Sequence, residues 1–147
     1  MKSENELALS KIKKTQWFIW LALIISMFVY GYLGEFMAHP DPEAMDANGK
    51  LGFSAALILM SLLNTGLAFW LPGVISRSAQ KNLVELKDSS PGQYYQRTLL
   101  VPNVVGWALI ESVAVYALIV AFTTGMQNIF YGMLGVSLVL MIIKKPH

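Results

Sequence analysis

Cysteine is absent from this chain, which removes disulfides, thiolate metal centres and thiol nucleophiles from consideration. Histidine is scarce as well: His39 falls in a proline-flanked loop and His147 at the terminus, so no imidazole pair shares a helix face. Charged residues make up only 14% of the chain, and the long apolar runs are almost free of them. No nucleophile sits beside a base. A membrane enzyme is therefore the least expected class, and no organic cofactor is implied.

What is present is hydrocarbon. Hydrophobic residues make up 55% of the 147, with a mean hydropathy of +0.51, a balance that fits an integral membrane protein rather than a small soluble domain. Four runs are long enough to cross about 30 Å of hydrocarbon as helices: Gln16–Gly34, Phe53–Pro72, Thr98–Thr123 and Met126–Ile143. The first follows a polar stretch, lacks a small-residue cleavage site and is too long for a signal-peptide core, so it is expected to stay in the mature protein. The expected fold class is an all-α membrane protein with four transmembrane helices.

Charge sets the expected orientation. Lys2, Lys11, Lys13 and Lys14 lie before the first run, Arg77, Lys81, Lys87 and Arg97 between the second and third, and Lys144 and Lys145 after the fourth. The loop 35–52 carries Glu35, Asp41, Glu43 and Asp46 against Lys50. Basic segments stay cytoplasmic, so both termini and the loop 77–97 are expected inside, in the inner membrane of a bacterium. This asymmetry accounts for the net charge of +2 and leaves no reason to invoke nucleic acid. His39 with Asp41, Glu43 and Asp46 could be offered as a cation site, but Pro40 and Pro42 deny those residues a helical ligand spacing and topology alone accounts for an acidic outer loop, so metal binding is not expected there.

The organisation read from these signals is a cytoplasmic tail (1–15), a flanking span (16–34), an acidic outer loop (35–52), a helical hairpin (53–124) and a second flanking span (126–143). The tail has the composition of a short amphipathic helix or a simple lysine anchor, and Trp17 and Trp20 stand where interfacial aromatics belong. The first span holds no polar group between Phe18 and Val29 except Ser26, which reads as a lipid-facing helix. Pro72-Gly73 predicts a kink or break, Pro102 a bend, and Ser90 with Pro91 a helix restart after a turn. Gly132 and Gly135 share a face and predict close packing of the last span.

One residue interrupts the apolar pattern. Glu111 is the only charged side chain well inside any span, and a carboxylate there costs about 2.5–3.5 kcal/mol even on permissive insertion scales. Ser112 and Tyr116 stand one turn apart on the adjoining stripe, and Asn64 is the polar mid-point of the second span, the expected antiparallel partner. Together these oxygens suit either a small hard cation or a protonated acid.

On these residues the stretch from Asn64 to Phe122, about half the chain, resembles the proteolipid ring subunit (subunit c) of rotary ATPases and ATP synthases. The matching residues are Ala108-Leu-Ile-Glu111-Ser112 with Tyr116, followed by the apolar run to Phe122, and Asn64 in the place of a glutamine that precedes the loop arginine, here Arg77. The resemblance implies a homo-oligomeric, ring-forming subunit carrying H⁺ or Na⁺ on a mid-membrane acid. The implied ion-binding set is Glu111, Ser112, Tyr116, Asn64 and Leu109, with Glu111 the metal ligand if sodium is carried. It further implies a stator protein with a membrane arginine, and stalk subunits meeting loop 77–97. The chain departs from the family in its leucine-rich first hairpin helix, its longer loop, the extra flanking spans, and Val113 where sodium-binding members often have threonine. With the shorter amide of Asn64, Val113 tilts the expectation toward protons. The competing reading is a four-helix assembly or accessory protein in which Glu111 is a structural hydrogen-bonding residue.

Overall fold

Helix persists well past the hydrocarbon these runs are expected to cross. The computed structural model describes residues 4–41, 45–85 and 90–146. Its regular elements are α1 (Glu4–Phe36), α2 (Ala47–Glu85), α3 (Pro91–Tyr95), a π-helical turn at Gln96–Leu100, α4 (Val101–Thr124) and α5 (Gln127–Ile143). Lys2, Pro42, Glu43, Lys87, Asp88 and His147 lie outside the described residues. Three stretches, Glu4–Phe36, Ala47–Asn82 and Pro91–Thr124, are long and apolar enough to cross a membrane, and α5 is a shorter apolar helix of 17 residues. The chain is thus an all-α, multi-pass membrane protein. Phe18, 77% exposed, and Trp70, 63% exposed, are placed as lipid would require and water would not.

The tail is not a separate element. No glycine or proline occurs between Glu4 and Tyr30, and the polar residues simply extend the first span into one helix of 33 residues. At 1.5 Å per residue that is about 50 Å, so its first turns project beyond a hydrocarbon core of about 30 Å. There they pack against α3. Ser90 occupies the N-cap of α3 with extended backbone (φ −64°, ψ 150°) and Pro91 opens the first turn. Its hydroxyl makes no capping bond; instead its carbonyl accepts from the Tyr94 amide at 3.1 Å.

α4 is the centre of the bundle and packs against α1, α2 and α5. Its buried residues include Trp107, Ile110, Val113, Ala114, Ala117 and Ala121. Without a hydrophobic drive between helices in lipid, such small side chains let backbones approach and gain dispersion contact. Gly106 allows a close approach to α2: a Cβ there would lie 3.1 Å from Pro72 Cγ and 3.2 Å from the Ala68 carbonyl oxygen. Helix α2 runs antiparallel to α4. Ser54 Oγ meets Met126 Sδ at 3.5 Å near one end, and Ser76 Oγ donates to the Thr98 carbonyl at 3.1 Å near the other.

Neither proline ends its helix. Proline lacks an N–H, so each leaves the carbonyl four residues earlier without its helical partner. For Pro72 that carbonyl belongs to Ala68, and the Lys144 ammonium donates to it. For Pro102 it belongs to Thr98, and Ser76 supplies the donor. The chain before Pro102 also widens into the π-helical turn, closed by the Val101 amide on the Gln96 carbonyl, which relieves the clash of the proline ring with the preceding turn.

Gly125 ends α4 with φ 67°, its amide on the Ala121 carbonyl at 3.3 Å. Nearby, the para edge of the Phe130 ring of α5 abuts Gly34 of α1, leaving no room for a Cβ. Gly34→Val is therefore expected to push α1 from α5 and lower stability by about 1–3 kcal/mol. A smaller ring partner, Phe130→Leu, should recover part of that loss in thermal unfolding of the detergent-solubilised protein. Gly132 and Gly135, expected at a close helix contact, instead face outward, and a Cβ on either would meet nothing within 4 Å.

Candidate functional site: an acid shared by two helices

Glu111 sits midway along α4, partly buried, and α1 covers it. Its Oε1 accepts hydrogen bonds from Ser26 Oγ at 2.6 Å and from Tyr30 OH at 3.0 Å. Ser26 and Tyr30 are four apart on α1, hence on one helical face, and both aim at the same oxygen. Two hydroxyl donors replace part of the hydration a carboxylate loses in a bilayer. Among the described residues, the one buried side-chain polar atom lacking a partner is Gln127 Oε1, so Glu111 Oε2 is not sealed in without a hydrogen bond.

Ser26 carries a single proton and has two acceptors in reach, Glu111 Oε1 at 2.6 Å and its own helix's Leu23 carbonyl at 2.7 Å. It can donate to only one at a time. When Glu111 is ionised, the hydroxyl donates to the carboxylate. When Glu111 is protonated, the acid donates to Ser26 Oγ and Ser26 donates to Leu23. Both protonation states are thus satisfied without moving a heavy atom.

The other expected site residues gather on a different face. Asn64 Nδ2 donates to Ser112 Oγ at 2.6 Å and to Tyr116 OH at 3.2 Å, so the α2–α4 contact brings these three together. Ser112 Oγ in turn donates to the Leu109 carbonyl at 2.7 Å. None of the four is a hydrogen-bonding partner of Glu111, whose partners come from α1. The expected set is therefore split: Asn64, Ser112, Tyr116 and Leu109 form one polar knot between α2 and α4, while Glu111 joins Ser26 and Tyr30 between α1 and α4. A cation ligated by Glu111 in this arrangement would find the Ser26 and Tyr30 hydroxyls beside it, short of the six or so oxygens a hard cation commonly takes.

Ser26 and Tyr30 are the functional candidates that hydropathy misses. A hydroxyl barely lowers the apolar character of a span. The signal that marks them is their spacing, a polar pair one turn apart in a helix that otherwise shows only lipid-facing bulk.

At the end of the bundle where α1 begins its span, two indoles hold the close of α5. Trp20 Nε1 donates to the Met141 carbonyl at 2.9 Å and Trp107 Nε1 to the Lys144 carbonyl at 2.7 Å. Carbonyls in the last turn of a helix have no intrahelical donor, and these bonds supply one. The same Lys144 sends its ammonium to Ala68 and over the Phe69 ring, 4.7 Å from its centroid. Burial lowers the Lys144 pKa from its ordinary value. Trp17 packs edge-on against Trp20 with centroids 5.3 Å apart.

No protein-family model, curated protein or solved structure matches this chain.

Proposed function

We propose that this chain takes up and releases a proton at Glu111 and works as an ion-carrying subunit of a homo-oligomeric membrane assembly. In this reading α5 completes a fourth span, and the lysine-rich ends and loop 77–97 face the cytoplasm of a bacterial cell, following the basic-inside distribution of charge. The observation that carries it is the single Ser26 proton poised between Glu111 and Leu23, which lets the acid change charge state in place. A proton is preferred over sodium because Asn64, Ser112, Tyr116 and the Leu109 carbonyl are engaged with one another and not with the acid. The likeness of the hairpin to a proteolipid ring subunit supports an oligomer. A stator arginine, in that scheme, reaches Glu111 only if α1 swings aside, since α1 covers the acid.

A second reading has its own support. The two hydrogen bonds from α1 are what a purely structural clamp would also show. A membrane-permeant carbodiimide, which attacks protonated carboxyls, separates the two. Proton exchange predicts selective labelling of Glu111 that slows as pH rises and vanishes in Glu111→Gln. An acid that stays unlabelled at every pH, with the function of the assembly intact in Glu111→Gln, would leave the clamp alone standing.

A further inference from the structure

A cleft of about 540 Å³ opens at the lysine-rich end of the bundle, between α1, α2, α4 and the residues that follow α5. Lys13, Lys144 and Lys145 line it, and no Asp or Glu does. Lys144 is the partly buried member. Its partners are the Ala68 carbonyl and the Phe69 ring, and none of the described carboxylates pairs with it. A positive charge drawn out of water without a counter-ion is costly, so the cleft favours an anion.

Gln16 is the second, independent sign. Its side chain lines the cleft and is 4% exposed, yet its amide hydrogen-bonds to none of the other described residues. The residue as a whole is buried, but its amide atoms are not sealed in, and they open on the cleft, where a polar ligand can pair with them. Asn103 of α4 adds a further amide to the lining. The remaining walls, Phe69 and Leu99 among them, are apolar. They offer nothing to a free inorganic anion but suit the first methylenes of an acyl chain. Trp17, exposed on α1 and packed edge-on against Trp20 at this end of the bundle, is of the residue type that settles at a membrane–water boundary, near the depth of lipid phosphates.

We infer that this cleft binds the phosphate headgroup of an anionic phospholipid, with Lys13 and Lys145 supplying charge, and Gln16 and Asn103 supplying amide hydrogen bonds. Basic recesses between helices at one membrane face are suited to such headgroups. The test is native mass spectrometry of the full chain released from micelles containing phosphatidylglycerol or phosphatidylcholine of matched acyl chains. One phosphatidylglycerol is expected to stay bound where phosphatidylcholine is lost. Replacing both exposed lysines, Lys13→Gln with Lys145→Gln, should lower its occupancy about fivefold for each lysine. Gln16→Leu should lower it further, while Lys81→Gln, exposed on α2 outside the cleft, should leave it unchanged. Equal retention of the two lipids overturns the assignment, and so does an equal loss in Lys81→Gln. Displacement of the lipid by inorganic phosphate would assign the cleft to a soluble anion instead and overturn it equally.

Discussion

Trp107→Ala is expected to destabilise the detergent-solubilised protein by on the order of 3 kcal/mol. The indole is 2% exposed at the centre of the bundle, so its removal opens a cavity that the neighbours fill only in part. The loss has a second component, because the Lys144 carbonyl loses the donor that Nε1 provides at 2.7 Å. Trp107→Phe separates the two. It retains most of the volume and forfeits only the hydrogen bond, so its cost should be about 1 kcal/mol. Equilibrium unfolding followed by helical circular dichroism reads both values. An alanine variant as stable as the parent would mean that α5 is not held through this residue.

The second large effect concerns the donors to the acid. Removing both, Ser26→Ala with Tyr30→Phe, leaves a mid-membrane carboxylate without the hydroxyls that stabilise its charge. The expected cost is about 3 kcal/mol when Glu111 is ionised, since hydrogen bonds to charged groups are the strong ones. Adding Glu111→Leu to that pair should restore most of the loss, because no charge then remains to be solvated. The cycle formed by these variants isolates the coupling between the helices. Additive losses, with no recovery in the triple variant, would show that the hydroxyls and the acid do not act on each other.

Much of this arrangement was legible in the residues. Glu111 announced itself because charge in an apolar run is expensive, and the knot of Asn64, Ser112 and Tyr116 followed from helical spacing plus one assumption, that the second and third spans pack as a hairpin. The covering of Glu111 by α1 was not legible. Periodicity fixes which residues share a face but not which helix that face meets, and Phe18–Val29 is bulky enough to pass for a lipid-facing stretch. The continuity of α1 through the tail was available in principle, since no breaker residue intervenes between Glu4 and Tyr30. Polar composition concealed it. Composition likewise could not say that Gly132 and Gly135 would look outward while Gly34 and Gly106 take the close approaches; that depends on where rings and prolines of other helices come to rest.

The prolines carry a mechanical consequence. A proline in a membrane helix ordinarily serves as a swivel, because the carbonyl it strands leaves slack in the backbone. Here both swivels are bolted, Pro72 through Lys144 and Pro102 through Ser76. The long hairpin of α2 and α4 therefore behaves as a stiff frame. In the proposed reading, the element that must swing aside to open the acid to a partner is α1, which meets this frame at mid-height through the Ser26 and Tyr30 hydroxyls.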